Sequence, residues 1–206
     1  FHDICPHSPE QNCCVDRFWQ EIRTRHKSWE YVENPLQGKY GIGVFGRIRP
    51  AKGTDVFVNA MIDVLPQFPD FTAIITGQVL AEHADYKKTM EDKIRAAGLA
   101  ERIIFLGNLD ADEISRWYRN VAIMVACPRY EPFGITPLEA MASGCAVVAS
   151  RTGAFEYIVK PGETGELVPT GDAKSLAAAV KMLMQDPLKT EAMGDRKSTR
   201  LNSSHV

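Results

Sequence analysis

The stretch from Tyr130 to Ser150, YEPFGITPLEAMASGCAVVAS, decides how the rest of the chain is read. It opens as a loop bearing Pro132 and Gly134, becomes helical, is ended by Gly144, and continues into the apolar, strand-like run Ala146 to Ala149. Thr136 is a favourable N-cap, Pro137 suits the first helical position where its missing N–H costs nothing, and Leu138, Ala140, Met141 and Ala142 are helix formers. The pattern predicts a helix that starts at Thr136. Amides in its first turn have no partner within the helix and carry the positive end of its dipole, and Gly134 lets backbone approach a ligand, so this end suits a phosphate. Two carboxylates flank it, Glu131 in the loop and Glu139 eight residues later. A structural role also fits Glu139, because Thr136 followed by Glu139 matches a capping box.

Working outward towards the N-terminus, the run YGIGVFG from Tyr40 to Gly46 reads as a buried strand. Thr54 to Leu65 reads as an amphipathic helix with Val56, Phe57, Ala60, Met61, Val64 and Leu65 on one face. Between them GRIRPAKG, Gly46 to Gly53, places Arg47, Arg49 and Lys52 in a glycine-bearing loop. A strand, a cationic loop and a helix form a plausible anion cradle, although a solvated basic loop has the same composition. The loop is neither a Walker loop nor a G-x-G-x-x-G fingerprint, which disfavours a dinucleotide-dependent dehydrogenase.

The alternation continues through the middle. Phe71 to Thr76 is strand-like, and Ala84 to Ala97 is helical with Tyr86, Met90, Ile94 and Ala97 in phase, ended by Gly98. Arg102 to Leu106 is a short strand followed by the loop Gly107-Asn108-Leu109. Asp110 and Glu113 then form a capping-box-like start to a helix carrying Ile114, Trp117 and Tyr118. Helical spacing makes Trp117 and Tyr118 core anchors rather than base-stacking residues. Val121 to Ala126 is the next strand, Glu166 to Val168 the last, and Asp172 caps a helix with Leu176, Ala179, Val180 and Leu183 facing inward. Six strands near residues 41, 72, 103, 122, 146 and 166, mostly joined through helices, argue a six-stranded parallel α/β sheet covered on both faces. Open sheets of this kind bind ligands at strand carboxyl ends, where both candidate loops fall.

At 206 residues the chain suits one α/β domain with appendages rather than two full domains. The expected division is 1–39 as a linker or remnant, 40–195 as the ligand-binding domain, and 196–206 as a disordered, non-native tail resembling translated sequencing-adapter read-through. Re-reading the nucleotide sequence past Asp195 tests that last point. A net charge of −2 and pI near 6.2 give no basic excess for nucleic acid. The longest apolar runs are too short to span a bilayer, which points to a cytoplasmic location and leaves peripheral contact at a membrane face open. Five cysteines, an odd number, argue against a disulfide framework. Cys127 and Cys145 read as small buried hydrophobes, and the cluster His2, Cys5, His7, Cys13 and Cys14 misses structural zinc spacing, so no metal site is assigned.

EPFGITPLE, Glu131 to Glu139, resembles the E-x7-E signature of family 4 retaining glycosyltransferases, which have two Rossmann-like domains in the GT-B arrangement. PRYEPFG from Pro128, EAMASGCAVVAS from Glu139 and the G-R-x-x-x-x-K-G pattern of Gly46 to Gly53 extend the resemblance, as does PGETGELVP from Pro161. It covers about Tyr40 to Gly194 and implies the Rossmann-like C-terminal, donor-binding half of such an enzyme. It implies that Arg47, Lys52 and Glu131 are catalytic, the cations neutralising the donor diphosphate and Glu131 contacting the donor sugar. Gly46, Phe133, Gly134, Ile135 and Thr136 would hold sugar and diphosphate, Glu139 the ribose hydroxyls, and Asn108 and Leu109 the base. No metal or other cofactor is implied beyond the nucleotide diphosphate sugar as substrate. FGRIRPAKGTDVF and TPLEAMASG look most like mannosyltransferases of bacterial lipopolysaccharide core synthesis, which implies GDP-mannose as donor and a glycan or lipid-linked acceptor. The alternatives are a UDP-sugar glucosyl or galactosyl transferase and a non-catalytic nucleotide-binding domain. The acceptor site of the family lies on an N-terminal domain, and nothing of adequate length precedes Tyr40, so this chain is expected to bind donor but to transfer poorly alone.

Overall fold

The computed structural model describes residues 40–186 together with Thr190, Met193 and Gly194. Expectations for the first 39 residues, the linker or remnant with its His/Cys cluster, and for the tail 196–206 lie outside the described residues.

The chain alternates strands and helices: β1 (Tyr40–Phe45), α1 (Thr54–Val64), β2 (Phe71–Thr76), α2 (Ala84–Ala96), β3 (Ile103–Gly107) and α3 (Ala111–Asn120). There follow β4 (Ile123–Ala126), α4 (Ile135–Ala142), β5 (Ala146–Ser150), α5 (Phe155–Ile158), β6 (Gly165–Val168) and α6 (Ala173–Met184). All six strands join one sheet in the order β3-β2-β1-β4-β5-β6, and every pairing is parallel. The expected doubly covered parallel sheet is therefore present. Its inner strands are continuously buried, as in FTAIIT of β2 and AVVAS of β5, because a parallel sheet offers neither face to water.

Side chains alternate between the two faces with period two. Ile42, Val44, Ala73, Ile75, Ile123, Val125, Ala146 and Val148 share one core with Phe57, Met61, Met90, Ile94, Leu176 and Val180 of α1, α2 and α6. On the opposite face Phe45 packs on Tyr118 of α3 with ring centroids 4.2 Å apart. Truncating a fully buried residue such as Phe57 or Ile42 to alanine costs about 2–5 kcal/mol, through lost burial plus the cavity left behind.

Boundaries differ from the sequence expectation by a residue or two. β3 begins at Ile103 instead of Arg102, and the Arg102 guanidinium is taken up by the carbonyls of Leu65 at 2.9 Å and Phe71 at 2.6 Å. β4 begins at Ile123. The helix expected from Thr136 begins at Ile135, with Gly134 as its N-cap at φ 74°. Thr136 is therefore inside the helix and is not its cap. Asp110 and Glu113 do form the expected capping box, and Asp172 caps α6 through the amides of Lys174 and Ser175. Trp117 is only half-buried while Tyr118 is 2% exposed, so Tyr118 alone fills the anchoring role expected of both.

Candidate donor-binding site

Strand order reverses between β1 and β4, which lie side by side while their connections leave in opposite directions. That reversal opens a crevice at the strand carboxyl ends. The two loops entering it are those singled out from sequence. A small cleft there is lined by Gly46, Lys52, Thr54, Pro128, Glu131, Thr136 and Phe155, among others.

The loop after β1 turns through a short 3-10 segment, Pro50–Lys52, and Gly53 then caps α1 at φ 70°. A Cβ at Gly53 would sit 1.9 Å from the Cys127 carbonyl oxygen, so only glycine lets this loop close onto the end of β4. The Cys127 thiol donates to the Gly53 carbonyl at 3.1 Å. Arg129 completes the closure. Its backbone amide donates to Ala51 at 2.9 Å, and its guanidinium grips both oxygens of Asp55 at 3.1 and 2.9 Å and also donates to the Pro50 carbonyl. Tyr86 of α2 donates to Asp55 Oδ1 at 2.6 Å and accepts from the Asp55 amide at 2.9 Å. Burial opposes ionisation of Asp55, and the Arg129 and Tyr86 bonds outweigh it, holding its pKa below 3.8.

This closure brings Lys52 to Glu131. The Lys52 ammonium donates to Glu131 Oε2 at 2.7 Å, with the two side chains 31% and 11% exposed. Glu131 Oε1 accepts from the Phe133 amide at 3.3 Å and the Gly134 amide at 3.4 Å. Burial by itself would raise the Glu131 pKa, but the ammonium and the two amides overcome it and hold the carboxyl below 4.5. Glu131 is thus an anion at neutral pH, paired with the cation proposed to meet a diphosphate.

The other candidates divide into those near this contact and those away from it. Gly46 lines the cleft, and Arg47 beside it is exposed. Gly134 is buried at the start of α4, and the side chains of Phe133 and Ile135 are 72% and 46% exposed. Glu139 is the fifth residue of α4 rather than part of its first turn. The capping-box reading therefore loses its register, and the Glu139 carboxylate instead accepts a hydrogen bond from the Tyr118 hydroxyl at 3.2 Å. Asn108 and Leu109 follow β3, two strands from β1, and are not part of the Lys52–Glu131 contact.

Sequence reasoning missed the clasp of Arg129, Asp55 and Tyr86, and the reach of Tyr118 to Glu139. Arg129 stood inside the quoted motif, but its partners Asp55 and Pro50 lie 74 and 79 residues away, separations that no local pattern encodes. Among the described residues, no group of three or more His, Cys, Asp or Glu side chains is placed to hold a metal ion, and no helix is long and apolar enough to cross a membrane.

Known proteins resemble this chain in sequence and fold. The chain is 45% identical over 160 residues to the lipopolysaccharide core biosynthesis mannosyltransferase LpcC of Rhizobium leguminosarum bv. viciae, covering 78% of this chain and 45% of that protein. It is 43% identical over 147 residues to the corresponding enzyme LpsB of Rhizobium meliloti, covering 70% of this chain and 41% of that one. The chain thus spans less than half the length of these relatives. The crystal structure of the C-terminal domain of a group 1 glycosyl transferase, LpcC, from Francisella tularensis superimposes with a TM-score of 0.76 at 37% identity, covering 93% of this chain and 92% of that domain. Anabaena HepE in complex with UDP and glucose matches with a TM-score of 0.72 at 25% identity, covering 95% of this chain and 48% of HepE. With residues 29–200 matching the family described as Glycosyl transferases group 1, and with the fold of a Rossmann-like GT-B C-terminal domain, the chain belongs to the group 1 glycosyltransferases.

Proposed function

We propose that this chain is the donor-binding half of a retaining hexosyltransferase, which moves mannose from GDP-mannose to a glycan or lipopolysaccharide-type acceptor. A companion N-terminal domain holds the acceptor. The observation that carries this reading is the meeting of Lys52 and Glu131 at 2.7 Å, where β1 and β4 part. Mannosyl transfer is supported by the two relatives named as lipopolysaccharide core mannosyltransferases.

In this reading the diphosphate lies between the loop after β1 and the start of α4. Arg47 and Lys52 supply charged donors, and the amides at the N-terminus of α4 supply further donors with the helix dipole behind them. Negative charge grows on the leaving diphosphate as the glycosidic bond breaks, and donors already in place stabilise it without reorganising, so the chemistry calls for no metal. Glu131 engages the sugar, Glu139 the ribose hydroxyls, and the backbone around Asn108 and Leu109 the base. The enzyme works in the cytoplasm, against the inner face of the membrane that carries its acceptor.

Calorimetric titration with GDP, UDP, ADP and their sugars, without and then with magnesium, tests this. Selective, magnesium-independent binding of GDP and GDP-mannose is expected, whereas silence from every nucleotide overturns the reading. Preference for UDP would select a UDP-sugar transferase, the second reading, which the HepE complex with UDP and glucose favours.

A further inference from the structure

Among the described residues Tyr118 is the largest fully buried side chain, and its one polar atom faces the second glutamate of the motif. Its ring is wedged beside Phe45 at the end of β1, and its backbone carbonyl accepts from the Cys145 thiol at 2.9 Å. A buried phenol must place its hydroxyl on a partner, and here that partner is Glu139 Oε2 at 3.2 Å. Burial, then the charge of Glu139, pushes the Tyr118 pKa well above 10.0, so the hydroxyl keeps its proton and acts as a donor. A carboxylate offers about four lone-pair sites, of which the bond from the fixed phenol takes one, and that bond orients the group. Tyr118 also stands on α3, the helix that opens at Asp110 immediately after the Gly107-Asn108-Leu109 loop. The base-side loop and the Glu139 carboxylate are therefore tied to one rigid element.

We infer that Tyr118 is a positioning residue that sets ribose recognition, by holding the Glu139 carboxylate in the orientation that accepts from two vicinal hydroxyls at once. This rests on the donor-binding reading. Tyr118 itself touches no ligand.

The test compares binding of whichever of GDP, UDP and ADP binds tightest with that of its 2′,3′-dideoxy form, in four proteins: wild type, Tyr118→Phe, Glu139→Ala and the double variant. Phenylalanine keeps the ring and its packing, so Tyr118→Phe should retain the melting temperature within a few degrees. The dideoxy-to-ribose ratio of dissociation constants should fall by about tenfold in Tyr118→Phe, the scale of one hydrogen bond to a charged group. Glu139→Ala should abolish the preference, and adding Tyr118→Phe to it should change the ratio no further. A Tyr118→Phe protein that melts lower but keeps the wild-type ratio overturns the inference and leaves Tyr118 as core. A wild-type protein with no ribose preference, or a preference untouched by Glu139→Ala, overturns the assigned role of Glu139, and this inference with it.

Discussion

Glu131 and Glu139 stand eight residues apart in one motif, and the protein treats them by different physics. Glu131 is 8% exposed and stays ionised because an ammonium and two amides converge on it. Glu139 is half-buried and meets a neutral phenol that aims it. The first carboxylate depends on charge delivered by another loop, and the second on packing beneath its own helix. A spacing motif therefore fixes where two acidic groups lie along the chain, while their chemistry is set by what the sheet brings up against each.

The strongest way to break this contrast is to strip the cations from the loop that delivers Lys52 to the first carboxylate. Arg47→Ala combined with Lys52→Ala should weaken nucleoside diphosphate binding by about 1.5–3 kcal/mol per lost charged hydrogen bond. Nucleoside binding should change little. Calorimetry on the matched pair reads the difference, and equal losses would mean that the loop is merely a solvated basic turn.

Geometry can be attacked without touching a charge. Gly53→Ala forces a Cβ to 1.9 Å from the Cys127 carbonyl at φ 70°, so the loop must withdraw from β4. A destabilisation of about 3 kcal/mol is expected in urea melts, from left-handed backbone strain with a steric clash added. Diphosphate affinity should fall with it, because Lys52 leaves Glu131.

The pH dependence sharpens the comparison further. The folded pKa of Glu131 lies below its ordinary 4.5, so its contribution to stability is present above that pH and drains away as pH falls through the folded value. Lys52→Met leaves the burial and removes the largest counterweight. The variant should be less stable by about 1–3 kcal/mol at neutral pH, and this gap should narrow as pH drops below 4.5. Asp55, Asp92 and Asp172 also have lowered pKa values, but they titrate in both proteins and cancel in the difference. A gap that stays constant with pH would detach Lys52 from the ionisation of Glu131.

The smallest effect belongs to Arg129→Ala. Its side chain is 46% exposed, so its ion pair with Asp55 is worth only about 0.5–1 kcal/mol and is screened by salt. Urea midpoints of wild type and variant should converge as sodium chloride is raised. A larger, salt-independent loss would mean that the bond to Pro50 dominates the clasp.

Most of the fold was legible because period and punctuation are local properties: all six strands and the helices between them carry apolar runs broken by glycine, proline or a capping aspartate. The start of α4 was misplaced by one residue because Thr136-Pro137 is a good cap on paper, while Gly134 can take the left-handed turn and Thr136 cannot take it cheaply. Glu131 and Lys52 were nameable as candidates, but their pairing was not, since it spans 79 residues and exists only once β1 and β4 lie adjacent. Tyr118 was read as core from its spacing, which located the ring and said nothing about the hydroxyl.

The closure of the loop onto β4 leaves one further consequence in the Cys127 sulfur. Burial pushes that thiol up to about 12, and only a thiolate attacks alkylating reagents, so the group stays silent for as long as Gly53 covers it. Any excursion that parts the two loops exposes it. The rate at which iodoacetamide labels the Cys127 peptide, followed by mass spectrometry, is therefore a native clock for opening of the crevice, and a bound donor that holds the loops together should slow it.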